Sequence, residues 1–205
     1  MRNLERFKFV IRPMKLRGIL FDMDGTVVEV PYDWPRIRAE IGAGGTSILS
    51  YISGLPEPER SRKWQILQTY EDDATRQAVL KRGMWKFLDF LRAKSVRTAL
   101  ITNNSQKNVE ALLDRFRLKF DCVLSRDSGL WKPSGEPLRA ALSMLELAAD
   151  ESCAVGDSHF DIRAAQDAGI ARIFILSKDR AKFAAWTVEI FGTVASLRRR
   201  IDELL

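Results

Sequence analysis

From about residue 84 the chain alternates between two hydrophobic periods, and that alternation leaves few folds open. MWKFLDFLRAK carries apolar residues at helical spacing, and RTALIT is a short apolar run of strand type. Val109, Leu112, Leu113 and Phe116 return to the helical period before the strand-like FDCVLS. Leu138, Ala141, Leu142 and Leu145 mark the next helix and SCAVG the next strand. Ile162, Ala165 and Ala168 mark a helix stopped by Gly169, and ARIFIL is a further strand. Short apolar strands joined through amphipathic helices run parallel, with helices covering both faces of the sheet. The expected fold is therefore α/β, a three-layer parallel sheet whose first strand is the ILF run at 19–21.

Residues 31–82 break this rhythm. Trp34 to Ile41 reads as one helix, 42–45 as a glycine loop and 47–52 as a weak apolar helix. A long polar helix follows, opened by Pro56 and Pro58, with Trp64, Leu67, Tyr70 and Ala74 on one face. The segment reads as an inserted helical module.

With 205 residues and 46% hydrophobic content, the chain can bury one substantial core and a small second module. A charge-free stretch at 41–56 has 16 residues and four glycines, short of the roughly 18 apolar residues of a membrane span. The N-terminus has basic residues without the apolar block of a secretory signal. Cys122 and Cys153 sit in apolar runs and are expected to be buried and reduced, which favours a soluble, cytoplasmic protein. The net charge of +6 raises nucleic acid as a partner, but residues 1–17 hold six basic residues against Glu5, five of the six excess charges. The remainder is nearly balanced and has no basic stripe interleaved with aromatics, so neither nucleic acid nor membrane is an expected partner. Phe7, Phe9 and Ile11 alternate as in a half-exposed edge strand.

In open parallel sheets ligands bind beyond the carboxyl ends of the strands. In RGILFDMDGTVVEV the first strand ends in Asp22 and Asp24. Asp-Gly is a turn former, which accounts for Asp24 alone; two acids one residue apart at a strand end can also share a hard cation such as Mg²⁺, which cancels their repulsion. Thr102, Asn103, Asn104 and Ser105 follow Ile101. Gly156, Asp157 and Ser158 follow Val155, with Asp161 one helical turn on. Polar groups thus converge on one edge.

DMDGT, ITNNS, the lysine of WKPSGEP and GDSHFD resemble the four ordered motifs of the haloacid dehalogenase superfamily, in particular its phosphoglycolate phosphatase-like branch. The resemblance implies a Rossmann-like core at 1–30 and 83–205 and a helical cap at 31–82. It implies that Asp22 is the nucleophile, forming an aspartyl-phosphate, and that Asp24 is the acid that protonates the leaving alcohol and then the base for water. By the same resemblance Mg²⁺ is held by Asp22, the main-chain carbonyl of Asp24 and Asp157. Thr102, Asn103 with its neighbouring N–H groups, and Lys132 bind the phosphoryl oxygens, and Asp161 supports Lys132 or a metal-bound water.

Duller roles stand beside these: Thr102 as a strand residue, Asn103 as a turn former, Lys132 as a loop lysine, Asp157 as a helix cap. His159 and Trp131 are expected at the pocket edge or in packing, and Arg36 and Arg38 as exposed helix charges or anion anchors. The charge-free 42–45 and 48–52 region is the candidate pocket-facing surface of the cap. An aspartate two residues after the nucleophile favours phosphomonoester hydrolysis of a small phosphorylated metabolite. A phosphomutase or phosphotransferase sharing the intermediate is the alternative, and a non-catalytic phospho-ligand or protein-binding module is the alternative of another class.

Overall fold

The structure is a computed structural model that describes residues 15–205. The alternation expected at 7–11 lies outside the described residues.

Six parallel strands form the sheet: β1 (Gly18–Phe21), β4 (Arg97–Ile101), β5 (Cys122–Leu124), β6 (Ser152–Gly156), β7 (Arg172–Leu176) and β8 (Glu189–Phe191), in the order β5-β4-β1-β6-β7-β8. Two very short strands, β2 (Val28–Glu29) and β3 (Val79–Leu80), pair antiparallel as a separate ribbon. β1 lies between β4 and β6, with Phe21 opposite Leu100 on one side and Val155 on the other. The strand ends that carry the polar motifs are therefore neighbours.

The period-2 alternation of the strands sorts side chains into two cores. Ile19, Phe21, Leu100, Val155 and Phe174 pack with α4 (Met84–Ala93), α5 (Gln106–Phe116) and α8 (Val194–Asp202). Leu20, Ala99, Ile101, Ala154 and Ile175 pack on the other face with α6 (Glu136–Leu145) and α7 (His159–Asp167). This is the three-layer α/β architecture expected from the sequence. Gly18 permits close packing in it, because a Cβ there would come within 2.2 Å of the Leu147 side chain.

Between β2 and β3 lie α1 (Trp34–Ile41), α2 (Ile48–Ser53) and α3 (Glu59–Gln77). They bury Ile37, Ile41, Ala43, Ile48, Leu49, Ile52 and Leu67 in a third cluster of their own. Asp33 caps α1 by accepting from the Arg36 N–H, Pro35 occupies its first turn, and Gly42 closes it at φ +86°. Cys122 and Cys153 are buried free thiols, as expected.

Candidate active site

The two acids of the first motif project from one turn. Asp22 continues β1, its N–H donating to the Val155 carbonyl at 2.8 Å. Met23 next turns into the core, so strand alternation returns Asp24 to the side of Asp22. The Met23 carbonyl then accepts from the N–H groups of Val27 and Val28, closing the turn. Gly25 sits at φ +87°, and a Cβ on it would lie 2.1 Å from Asp157 Oδ2. Only glycine lets the first and fourth motifs come this close.

Lys132 ties the motifs together. Its Nζ donates to Asp22 Oδ1 at 2.5 Å and to Asp161 Oδ1 at 2.6 Å, with only 6% of the side chain exposed. Asn103 fixes the lysine from behind: its Oδ1 accepts from the Lys132 N–H and its Nδ2 donates to the Lys132 carbonyl, both at 2.8 Å. The Asn103 side chain is thus committed to positioning Lys132, while the phosphate contact expected at this turn is one of backbone N–H groups. Thr102 Oγ1 accepts from the Asn104 N–H at 3.0 Å and lines the cavity. Asp161 Oδ2 accepts from the N–H groups of Asp157 and Ser158 and from Ser158 Oγ. Both its oxygens are therefore occupied.

One participant was not singled out from the sequence. Asn104 Nδ2 donates to Asp24 Oδ2 at 3.1 Å and to the Tyr32 hydroxyl at 3.0 Å, while its Oδ1 accepts from the Ser105 N–H and from Asn108 Nδ2. The only signal for it was the second asparagine of ITNNS, which strand-end logic places beside Asp24.

Burial dominates the electrostatics. It pushes Asp22 well above the usual carboxylate range against the pull of Lys132, and raises Asp157 to about 6 with help from Asp161. It also raises Asp24 to about 6 despite the Asn104 hydrogen bond. Burial opposes ionisation of Asp161 as well, but Lys132 and the Ser158 donors outweigh it and hold that carboxyl low. Lys132 is held protonated above its ordinary value, Asp161 and Asp22 overcoming its desolvation. Four acids gather around Lys132, with Lys182 and Lys81 also acting on Asp157, and carboxylates this close together favour a cation between them.

Oxygens of Asp22, Asp157 and Asp161 lie within 4.8 Å of one another, a spacing one divalent ion can bridge. Because Asp161 is spent on Lys132 and on the start of α7, Asp22 and Asp157 are the side chains free to hold it. Asp22 Oδ2 is buried without a hydrogen-bond partner, and so is Asp24 Oδ1. An all-oxygen donor set of this kind fits Mg²⁺. The acids floor a cavity of about 570 Å³, walled by Tyr32, Trp34, Ile48, Leu49 and Leu67 and reached by His159 and Lys182. Arg38 also lines it, but its Nη1 donates to the carbonyls of Gly44 and Thr46. The loop at 42–45, expected to face this space, does not line it: Ala43 is buried in the helical module's own cluster.

The family model described as haloacid dehalogenase-like hydrolase matches residues 31–175. The chain belongs to that family. Among other members, a haloacid dehalogenase-like hydrolase domain-containing protein of Arabidopsis thaliana is 30% identical over 157 residues, 70% of this chain and 64% of that protein. The chain thus spans less than two thirds of that relative's length. A phosphoglycolate phosphatase of Rhodospirillum rubrum is 26% identical over 185 residues, 75% of this chain and 77% of that one. The crystal structure of CbbY from Rhodobacter sphaeroides in complex with phosphate superposes with a TM-score of 0.66 at 24% identity, covering 89% of this chain and 96% of that one. The haloacid dehalogenase-like fold is thus common to both. No helix among the described residues is long and apolar enough to cross a membrane.

Proposed function

We propose that this chain is a Mg²⁺-dependent phosphatase that hydrolyses a small phosphomonoester through an aspartyl-phosphate on Asp22. The observation that carries the proposal is the state of the Asp22 carboxylate at the cavity floor: Oδ1 is fixed by Lys132, while Oδ2 is buried without a hydrogen-bond partner. A nucleophile held at one oxygen keeps the other in a single attack geometry.

Asp22 Oδ2 attacks phosphorus, and Asp24 gives its proton to the departing alcohol oxygen. Burial that holds Asp24 near 6 lets it release and recover a proton close to neutrality, and Asn104 keeps its Oδ2 in place. Asp24 then takes a proton from the water that attacks the phosphoryl group, freeing Asp22. Lys132 and Thr102 hold phosphoryl oxygens during both steps. Mg²⁺, bound by Asp22, Asp157 and the Asp24 carbonyl, would neutralise the meeting of carboxylate and phosphate. Residues 31–82 act as the cap over the core at 1–30 and 83–205, closing the cavity against bulk water and contacting the leaving group through Trp34, Ile48 and Leu49. The relatives named as phosphoglycolate phosphatases support this activity class.

The test is hydrolysis of an aryl phosphate with Mg²⁺. Turnover should vanish with a chelator and return with Mg²⁺, and Asp22→Asn should lower kcat by about 1,000-fold or more. Equal activity in Asp22→Asn, with its fold intact by circular dichroism, would sink the assignment.

A further inference from the structure

We propose that Glu71 selects the leaving group, so that the chain favours phosphomonoesters whose alcohol carries a neutral hydroxyl or amine near the ester oxygen and disfavours those with a carboxylate there. This rests on the phosphatase function proposed above and names its substrate class.

Three carboxylate oxygens among the described residues are buried without a partner: Asp22 Oδ2, Asp24 Oδ1 and Glu71 Oε2. All three residues line the same cavity. Phosphoryl transfer and proton transfer use the first two. The third belongs to α3, in the helical module, and the chemical steps leave it over.

Glu71 is 4% exposed. Its Oε1 accepts from Arg126 Nη1. The same guanidinium has other partners: Nη2 donates to Gln68 Oε1 at 3.0 Å, Nη1 also reaches the Asn103 carbonyl at 3.4 Å, and the Trp64 ring lies 5.1 Å from its carbon. Arg126 therefore offers Glu71 one bond and does not line the cavity. What Glu71 can present to a ligand is a bare acceptor. Leaving a buried acceptor unpaired is destabilising, a loss that a ligand donor makes good. A ligand carboxylate would instead meet like charge in a water-poor space, already crowded by Asp24. Lys182 also lines the cavity and acts on Asp157.

Two esters of equal length separate the cases: 2-hydroxyethyl phosphate, which ends in CH₂OH, and 2-phosphoglycolate, which ends in a carboxylate. Affinities for both are measured by calorimetry on the full chain carrying Asp22→Asn, with Mg²⁺ at pH 8, where Glu71 is ionised. The hydroxyethyl ester should bind at least about tenfold more tightly. Adding Glu71→Gln, which keeps the shape and the Arg126 contact but removes the charge, should bring the ratio to within about threefold, chiefly by improving phosphoglycolate binding. A purely structural Glu71 would weaken both esters alike and leave the ratio unchanged, which overturns the proposal. So does equal or tighter binding of phosphoglycolate, or no binding of the hydroxyethyl ester. Failure of the aryl phosphate assay overturns the phosphatase assignment instead, since the binding ratio does not depend on turnover.

Discussion

Asn104 makes four side-chain hydrogen bonds, and two of them orient groups at the site, Asp24 and Tyr32. Asn104→Ala removes the donor that stabilises ionised Asp24, so the carboxyl should move further above 6. If Asp24 is the acid, kcat/KM should fall about 100-fold, within the range for general acid catalysis, and the alkaline limb of the pH–rate profile should shift upward. An unshifted limb, measured under saturating Mg²⁺, would deny Asn104 this part. The difference between Asn104 and its neighbours explains what was legible from sequence. Asp22, Asp24, Asp157 and Asp161 stand in short local motifs with glycine and strand cues around them, so convergence follows from topology. Asp24 and Tyr32, which Asn104 orients, and Arg126, which holds Glu71, lie dozens of residues from their partners, and no local pattern records which side chain meets which. Asn103 shows the same limit in reverse: its position was clear, but its commitment to the Lys132 backbone depends on a loop 29 residues on.

At the scale of elements, α3 is fastened to the core by polar groups more than by apolar ones. Arg126 binds Glu71 and Gln68, Gln68 Nε2 donates to Ser105 Oγ at 3.3 Å, and Lys107 pairs with Asp72 at 2.7 Å. The Lys107–Asp72 pair is solvent-exposed and contributes little, whereas Glu71–Arg126 is buried on both sides. Arg126→Ala strands the Glu71 charge and should cost about 3–5 kcal/mol, read as a fall in the denaturant midpoint; the double variant Arg126→Met with Glu71→Leu should regain most of it. A double variant as unstable as Arg126→Ala would show that the loss came from packing. The boundaries of α1, α3 and α4 were readable because proline, glycine and a 3.6-residue period mark them. β8 was not, because one exposed and two half-buried residues at a sheet edge carry no clear alternation.

For the whole molecule, the decisive quantity is the charge buried at one edge. Asp22, Asp24, Asp157 and Glu71 all have raised carboxyls, the last to about 7 by burial against the pull of Arg126. The folded chain therefore holds protons that the unfolded chain releases. The contribution of Asp24, Asp157 and Glu71 to stability is full below the ordinary carboxylate range and is lost as pH rises through about 6 to 7. Asp161 runs the other way, its share disappearing only on strong acidification. Metal-free protein should thus melt at least about 3 °C lower at pH 8 than at pH 5.5, the change that roughly 1 kcal/mol brings in a domain of this size. Mg²⁺, which favours the ionised acids, should raise the melting temperature more at pH 8 than at pH 5.5. Scanning calorimetry at both values checks this, and a metal effect independent of pH would contradict it. The ribbon of β2 and β3 has a further consequence. Both crossings between sheet and helical module run side by side through it, the Lys81 N–H donating to the Val27 carbonyl, so the chain leaves and re-enters the core at one doorway beside the nucleophile's turn.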